Sequence, residues 1–362
     1  MPVPGGAYAS LTTPAGANPS WTSAVTIPGA NGFPSSSLAT TSLSPSVPSG
    51  SSAWLSASTP FGGQFGSSQG LSYLSFGATT SQANSTTVLT FASPTPTAGW
   101  GFALGDVDAE SIQLSATDAS GNAIAVSGLG YQGNFNYCAV SPKPSTCTGA
   151  GPFTDVPTWN AGTATLAGNG ADTSGASGWF MPSVAIKTLT LTYHVLIGIP
   201  SAQLWVASNL RTIAGTVTGE PAATVTTPPS TLPSPTTVPV PIPAPVPVPD
   251  VVITISDSTG TEIATASSDA NGAFSFPTIA PGVYTLSEAA PPGTKPSGTY
   301  PITVDVTNGD VTGISLTNVP ITIAAAPLLS TTGAPLLSLL GIAVLLIIVG
   351  ALMVMRKRRR RL

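Results

Sequence analysis

A run of twenty uncharged residues near the end of the chain limits what this sequence can fold into. The segment Leu336 to Met355 reads LLSLLGIAVLLIIVGALMVM, and Ser338 is its only polar side chain. As a helix with a rise of about 1.5 Å per residue, it spans roughly 30 Å, the thickness of the hydrocarbon core of a bilayer. A buried helix of a soluble domain would show a polar stripe, which this run lacks. The pattern predicts a single transmembrane helix over 336–355.

The distribution of charge orients this predicted helix. Six of the ten basic residues lie in 356–362, whereas residues 1–355 carry the other four and all fourteen acidic residues. The positive-inside rule places 356–362 in the cytoplasm as a basic tail, so we expect residues 1–335 to lie outside the cell at its envelope. Because the body has no cluster of lysines and arginines for phosphate contacts, we expect no nucleic-acid partner. The first residues, MPVPGGAYASLTTPAG, lack the basic and apolar regions of a signal peptide. We therefore expect the export signal upstream of Met1, and the alternative is insertion by the C-terminal segment alone.

Short strands dominate the body, and the predicted fold class is mainly β. The chain has 38 glycines and 37 prolines, which excludes a helical bundle. Apolar residues alternate with polar ones in segments such as 86–92, 111–117 and 187–196. Two antiparallel sheets that each bury one face form a sandwich, so we predict a jelly-roll-like β-sandwich over 51–210. The Ser/Pro/Gly-rich segment 1–50 is expected to be irregular, with a few edge strands.

A second, smaller β unit is predicted over 211–323. About seven short strands follow one another there, which is the number found in an Ig-like sandwich. The stretch 228–249 holds ten prolines in 22 positions, a composition that favours an extended polyproline II rod. This proline-rich rod is either a linker between domains or an insertion inside the second one. Residues 324–335 form a spacer before the predicted membrane helix.

The strand motifs of the second unit resemble the prealbumin-like B-type repeat of collagen adhesins. The matching residues are Ile213, Gly215, Val217, Asp257, Gly260, Asp269, Asn271, Gly272, Phe274, Phe276, Pro281, Gly282, Tyr284, Leu286, Glu288 and Asn318. The resemblance implies a prealbumin-like stalk domain of a Gram-positive, actinobacterial surface protein. Many repeats of that family carry a Lys–Asn amide cross-link assisted by an acidic residue, and Glu288 and Asn318 match the acid and the asparagine. No lysine lies between Lys187 and Lys295, so we expect no such cross-link here.

The residues before the predicted helix resemble a Gram-positive cell-wall sorting signal. The motif is Leu329, Ser330, Thr331, Thr332 and Gly333, followed by the apolar run and the basic tail. The resemblance implies cleavage by a sortase between Thr332 and Gly333 and attachment to peptidoglycan. Ser330 stands where that family has proline, so a permanently retained membrane anchor is the alternative.

Two other groups of residues are candidates for chemistry. Cys138 and Cys147 are nine residues apart, and outside the cell they are expected to form a disulfide. Asp106, Asp108 and Glu110 alternate, so on a strand their oxygens would share one face and suit calcium; the alternative is a turn whose acids face water.

The single histidine argues against catalysis. His194 shares a face with three threonines in KTLTLTYHVL, opposite the apolar face, so no catalytic role is expected.

These features predict a non-catalytic, surface-displayed adhesin or structural protein of the cell envelope, held by a C-terminal anchor. Its ligand would be an extracellular protein or glycan, and no cofactor is expected apart from calcium. The alternative is an anchored protein that binds or cleaves carbohydrate with its first sandwich. A row of exposed aromatic side chains, or two carboxylates facing each other across a groove, would favour that alternative.

Overall fold

The computed structural model describes residues 5–79, 84–149, 151–220 and 244–321. The predicted sorting motif, the membrane helix, the basic tail and most of the proline-rich stretch lie outside these residues. Within them, the structure contains no helix that is long and apolar enough to cross a membrane.

The first sandwich is built from fifteen strands and one short helix, α1 (Pro60–Phe65), with a single turn of 3₁₀ helix at Val126–Leu129. The strands are β1 (Gly6–Tyr8), β2 (Ser10–Leu11), β3 (Ala15–Ala17), β4 (Ser20–Thr26), β5 (Ser36–Thr40), β6 (Leu74–Gly77), β7 (Ser85–Phe91), β8 (Trp100–Gly105), β9 (Glu110–Thr117), β10 (Tyr131–Asn136), β11 (Thr158–Asn160), β12 (Thr165–Ala167), β13 (Ala176–Phe180), β14 (Thr188–Val195) and β15 (Ser201–Asn209). The six-stranded sheet has the order β1-β15-β8-β13-β10, with β6 also paired to β15, and the nine-stranded sheet has the order β11-β12-β9-β14-β7-β5-β4-β2, with β3 paired to β4.

The main core lies between these two sheets because each strand turns alternate side chains inward. On β14, for example, Leu189, Leu191 and Tyr193 are buried, and the residues between them are half-buried on the outer face. Strands β8 and β15 of the six-stranded sheet are buried on both faces, since α1 and the chain near it cover the outer side. Phe61 and Phe65 of α1 pack there in a second apolar cluster.

The prediction that 1–50 is irregular is wrong. Strands β4 and β5 lie inside the nine-stranded sheet, between β2 and β7. Their inward positions include small polar residues, and Ser23, Ser36 and Thr40 are buried together with Val25 and Leu38. The apolar alternation is therefore weak in the sequence although the strands are central. The first sandwich begins at residue 6, before the predicted boundary at 51.

The second sandwich contains nine strands. They are β16 (Arg211–Gly219), β17 (Val246–Pro247), β18 (Val252–Ser256), β19 (Glu262–Ser267), β20 (Ala273–Ile279), β21 (Val283–Glu288), β22 (Thr294–Pro296), β23 (Ile302–Asp305) and β24 (Val311–Pro320). The five-stranded sheet has the order β17-β16-β24-β22, with β20 also paired to β16, and the four-stranded sheet has the order β19-β18-β21-β23. The prediction of a mainly β chain with a second, smaller sandwich is confirmed.

The two sandwiches belong to one compact unit that runs from Met1 to Pro320. A single residue, Leu210, separates the last strand of the first from the first strand of the second. A backbone bridge reinforces this connection: the amide of Asn31 donates to the Thr278 carbonyl (2.9 Å), and the amide of Ala280 donates to the Asn31 carbonyl (2.8 Å). Next to the bridge, a Cβ on Gly32 would lie 2.5 Å from the Tyr284 hydroxyl, so only glycine fits this approach. We call these contacts the junction.

Candidate functional site

The three alternating acids lie in the turn between β8 and β9, where only Glu110 belongs to a strand. Asp106 accepts a hydrogen bond from the Gly175 amide (3.0 Å). Asp108 accepts from the Ala109 amide with one oxygen (2.6 Å) and from the amide and hydroxyl of Thr173 with the other (3.2 and 3.3 Å). The two aspartates therefore hold the segment before β13 against this turn.

Glu110 is the unusual member of this group. Its side chain is fully buried, and neither carboxyl oxygen has a hydrogen-bond partner. Burial raises the pKa of Glu110 to about 9, and the charges of Asp108 and Asp106 add to the effect. The pKa of Asp108 is raised to about 6, first by burial and then by Asp106. Glu110 is consequently protonated at neutral pH, which avoids the large cost of a buried, unpaired charge.

The arrangement of these acids differs from the one that the calcium prediction assumed. Among the described residues, no group of three or more His, Cys, Asp or Glu side chains is placed to hold a metal ion. The prediction assumed one continuous strand with the three acids on one face. The chain instead turns at Asp106, whose φ of 58° is left-handed, and the aspartate oxygens are occupied by backbone and hydroxyl donors.

Cys138 and Cys147 form a disulfide in the structure, with an S–S distance of 1.98 Å. Both sulfur-bearing residues are buried in the apolar cluster that covers the outer face of the six-stranded sheet. The ammonium of Lys143, inside the disulfide loop, lies 4.5 Å from the centre of the Phe153 ring. The disulfide thus ties a surface loop to the covering layer of the first sandwich.

His194 lies on β14 opposite Ser111 of β9, on the half-buried outer face of the nine-stranded sheet. The neighbouring outward positions on β14 are Thr188, Thr190 and Thr192. Among the described residues, the structure gives no hydrogen bond from His194 to an acid or a nucleophile.

Glu288 and Asn318, the two residues that matched the adhesin repeat, are in contact. The Asn318 side-chain amide donates to one oxygen of Glu288 (3.2 Å), and the Tyr300 hydroxyl donates to the other (2.7 Å). Asn318 is 1% exposed, and its side-chain oxygen has no hydrogen-bond partner. We call these three residues the Glu288 triad. It connects the end of β21 in one sheet to β24 in the other by hydrogen bonds.

Asn318→Ala is expected to lower the free energy of unfolding by about 1.5–3 kcal/mol, because it removes a hydrogen bond to a charged, half-buried carboxyl group. Chemical denaturation followed by tryptophan fluorescence measures the change. Asn271→Ala is the matched control, since Asn271 lies exposed in the turn before β20 and should change the value by less than about 0.5 kcal/mol. Equal effects of the two variants would contradict the role given to the triad.

The junction was not predicted from the sequence. Asn31 and Gly32 lie in a loop between β4 and β5 and reach β20 and Tyr284, more than 240 residues further along the chain. No local pattern marks a loop that binds another domain. The glycine pair around Ala30 and Asn31 indicates a turn, but it does not identify the surface that the turn contacts.

Comparison with known proteins finds a family match for part of the chain. Residues 245–320 match the family model of the SpaA prealbumin-like fold domain. These residues hold β17 to β24, so the match covers the second sandwich except its first strand. A search of curated proteins gives no match.

Solved pilin structures were also found. They include the minor pilin GBS52 of Streptococcus agalactiae (11% identity, 64% of this chain and 87% of that chain, TM-score 0.26). A second is the major pilin subunit BcpA of Bacillus cereus (12% identity, 78% of this chain and 72% of that chain, TM-score 0.22). A third is the major pilin SpaD of Corynebacterium diphtheriae (9% identity, 80% of this chain and 80% of that chain, TM-score 0.21). TM-scores this low carry no argument about the fold or function of this chain. The match to a prealbumin-like domain covers residues 245–320 alone.

Proposed function

We propose that this protein is a non-catalytic, surface-displayed adhesin or structural protein of a bacterial envelope, held by its C-terminal segment. The observation that carries the proposal is the prealbumin-like domain at 245–320, which lies between the first sandwich and the apolar run at 336–355. In this order along the chain, the second sandwich separates the first from the membrane. The first sandwich is then the part that meets a partner outside the cell.

The chemistry of the described residues supports a binding or structural role. The acids of the β8–β9 turn are hydrogen-bonded or fully buried, and His194 faces outward without a catalytic partner among the described residues. The disulfide between Cys138 and Cys147 suits an oxidising, extracellular environment.

The carbohydrate alternative finds less support. Trp54, Trp100 and Trp205 are buried. The other three tryptophans are half-buried on β4, β11 and β13, which are not neighbouring strands. Trp159 on β11 is stacked on Tyr131, so part of its face is already covered. Glycans therefore remain one class of ligand for the first sandwich, without a stacking row to favour them.

Cell fractionation with two deletions tests the location. Cells that produce the full-length, exported protein should retain it in the envelope, and a variant without 336–362 should be released into the medium. Removal of 221–243 is the matched control, because it shortens the chain by a similar length and keeps the apolar run. A soluble cytosolic pool of the full-length protein, or release of both variants, would overturn the proposal.

The mode of anchoring is a separate question. We propose sortase processing at the sorting-like motif, which predicts a mature chain that ends at Thr332 and is joined to peptidoglycan. Mass spectrometry of the C-terminal peptide decides between the two anchors. A peptide that ends at Leu362 would reject processing and leave a membrane-retained protein.

A further inference from the structure

The path of the chain determines where a pulling force would enter the second sandwich. Strand β16 begins at Arg211, one residue after the first sandwich ends, so a load on the first sandwich reaches the N-terminal end of β16. Strand β24 ends at Pro320, on the side of the chain that leads to the proposed anchor. This choice of loading points rests on the proposed surface function.

The two loaded strands are direct neighbours and run parallel. Their continuous register extends from Gly215 opposite Ile314 to Gly219 opposite Asn318, and a register shift separates it from the pair of Ile213 and Val311. Pulling the start of one parallel strand against the end of the other slides the strands along each other. All hydrogen bonds of the ladder then resist at the same time. A force that separates two strands from one end would instead break these bonds one after another.

From this geometry we infer that β16 and β24 form a non-covalent mechanical clamp, which carries tension between the first sandwich and the C-terminal segment. Residues 220–310 leave the clamp after β16 and return to it before β24. The tension that enters through the covalent chain therefore bypasses them while the clamp holds.

The side chains around this pair fit a load-bearing contact. Val217 and Leu316, which face each other in the register, are both fully buried. A Cβ on Gly215 would lie 2.2 Å from the Ile314 carbonyl oxygen, so the glycine allows the two strands to close together. The Glu288 triad holds β24 near the end at which tension would enter.

Both ends of the clamp are also held by contacts beyond the ladder. At its start, the Thr212 amide donates to the side chain of Asp310 (2.9 Å), which precedes β24. At its far end, the Glu220 amide donates to the Asn318 carbonyl (2.8 Å). The junction at Asn31 fixes the first sandwich to β20, the other neighbour of β16. The first sandwich is thus held to this sheet by the junction as well as through Leu210.

Single-molecule force spectroscopy on the full-length protein tests the clamp. Handles attached to Thr212→Cys and Ile321→Cys pull the start of β16 against the end of β24. Handles on Glu220→Cys and Ile321→Cys pull the adjacent ends of the same strands and are the matched control. At one loading rate, the first pair should need a several-fold higher force to unfold the second sandwich. Equal forces, or a lower force for the first pair, would overturn the inference.

A second sheared pair keeps the test decisive if Thr212→Cys disturbs the fold. Handles on Glu220→Cys and Asp310→Cys pull the end of β16 against the start of β24, and they should also give the high force. Denaturation of each variant before attachment shows which ones are folded.

The force experiment uses purified protein and is independent of cell fractionation. A weak clamp in an envelope protein would refute only this inference. A strong clamp in a cytosolic protein would refute only the proposed function.

Discussion

Glu110→Gln is expected to gain stability relative to the wild type as the pH is raised from 4.5 to 8. The folded protein raises the pKa of Glu110 from 4.5 to about 9, so it keeps a proton that the unfolded chain releases. This contribution to the free energy of unfolding is complete below about pH 4.5 and is lost as the pH rises towards 9. One pKa unit corresponds to about 1.4 kcal/mol, so the loss reaches roughly 5 kcal/mol at pH 8.

The measurement is the difference in free energy of unfolding between wild type and variant over this pH range. Because glutamine has no charge at any pH, the variant should lack this part of the pH dependence even if its buried amide lowers stability uniformly. Glu262→Gln is the control, because it makes the same substitution at an exposed carboxyl group on β19. If the difference in free energy of unfolding between Glu110→Gln and the wild type does not change with pH, the buried carboxyl group is not the source of the pH dependence.

Trp100→Ala is expected to lower the free energy of unfolding by about 3–5 kcal/mol, the cost of removing a fully buried aromatic side chain. Trp100 is 0% exposed, and the centre of its ring lies 5.8 Å from that of Phe33 and 5.7 Å from that of Phe91. Its indole nitrogen donates to the Pro96 carbonyl (2.9 Å). Phe33 follows the Asn31–Gly32 loop, so the cavity would also weaken the support of the junction.

Trp159→Ala is the matched control for this prediction. Trp159 is half-buried on the edge strand β11 and stacks on Tyr131 with ring centres 5.3 Å apart. Losing such an aromatic pair costs about 0.5–1.5 kcal/mol beyond the cost of the lost buried area. The loss of unfolding free energy should therefore be clearly smaller for Trp159→Ala than for Trp100→Ala. Denaturant unfolding measures both variants. A Trp100→Ala effect no larger than the control would contradict the position of Trp100 at the centre of the core.

The sequence predicts the strands whose inward positions are strongly apolar. On β14 the alternation of Leu189, Leu191 and Tyr193 with threonines gives both the strand and its buried face. The same pattern does not identify β4 and β5, because the buried residues Ser23 and Ser36 are polar and interrupt the alternation of apolar and polar residues. The prealbumin-like repeat was recognised because its glycine and asparagine turns have fixed spacings, which are local signals.

For the candidate site residues, too, the sequence predicts what local spacing encodes and misses what depends on packing. The spacing of Glu288 and Asn318 matched a family motif, and the structure brings these residues into contact. The calcium prediction assumes that the alternating acids lie on one strand, whereas the backbone turns at Asp106. The burial of Glu110 and the junction at Asn31 depend on how distant segments pack, and no local sequence pattern carries that information.

The pairing of Gly219 with Val246 has a consequence for the proline-rich segment between them. Because Gly219 and Val246 lie side by side on adjacent strands, the chain leaves β16 and re-enters the sheet at one place. A change in the number of residues between them therefore leaves the distance from the C-terminal end of β24 to the first sandwich unchanged.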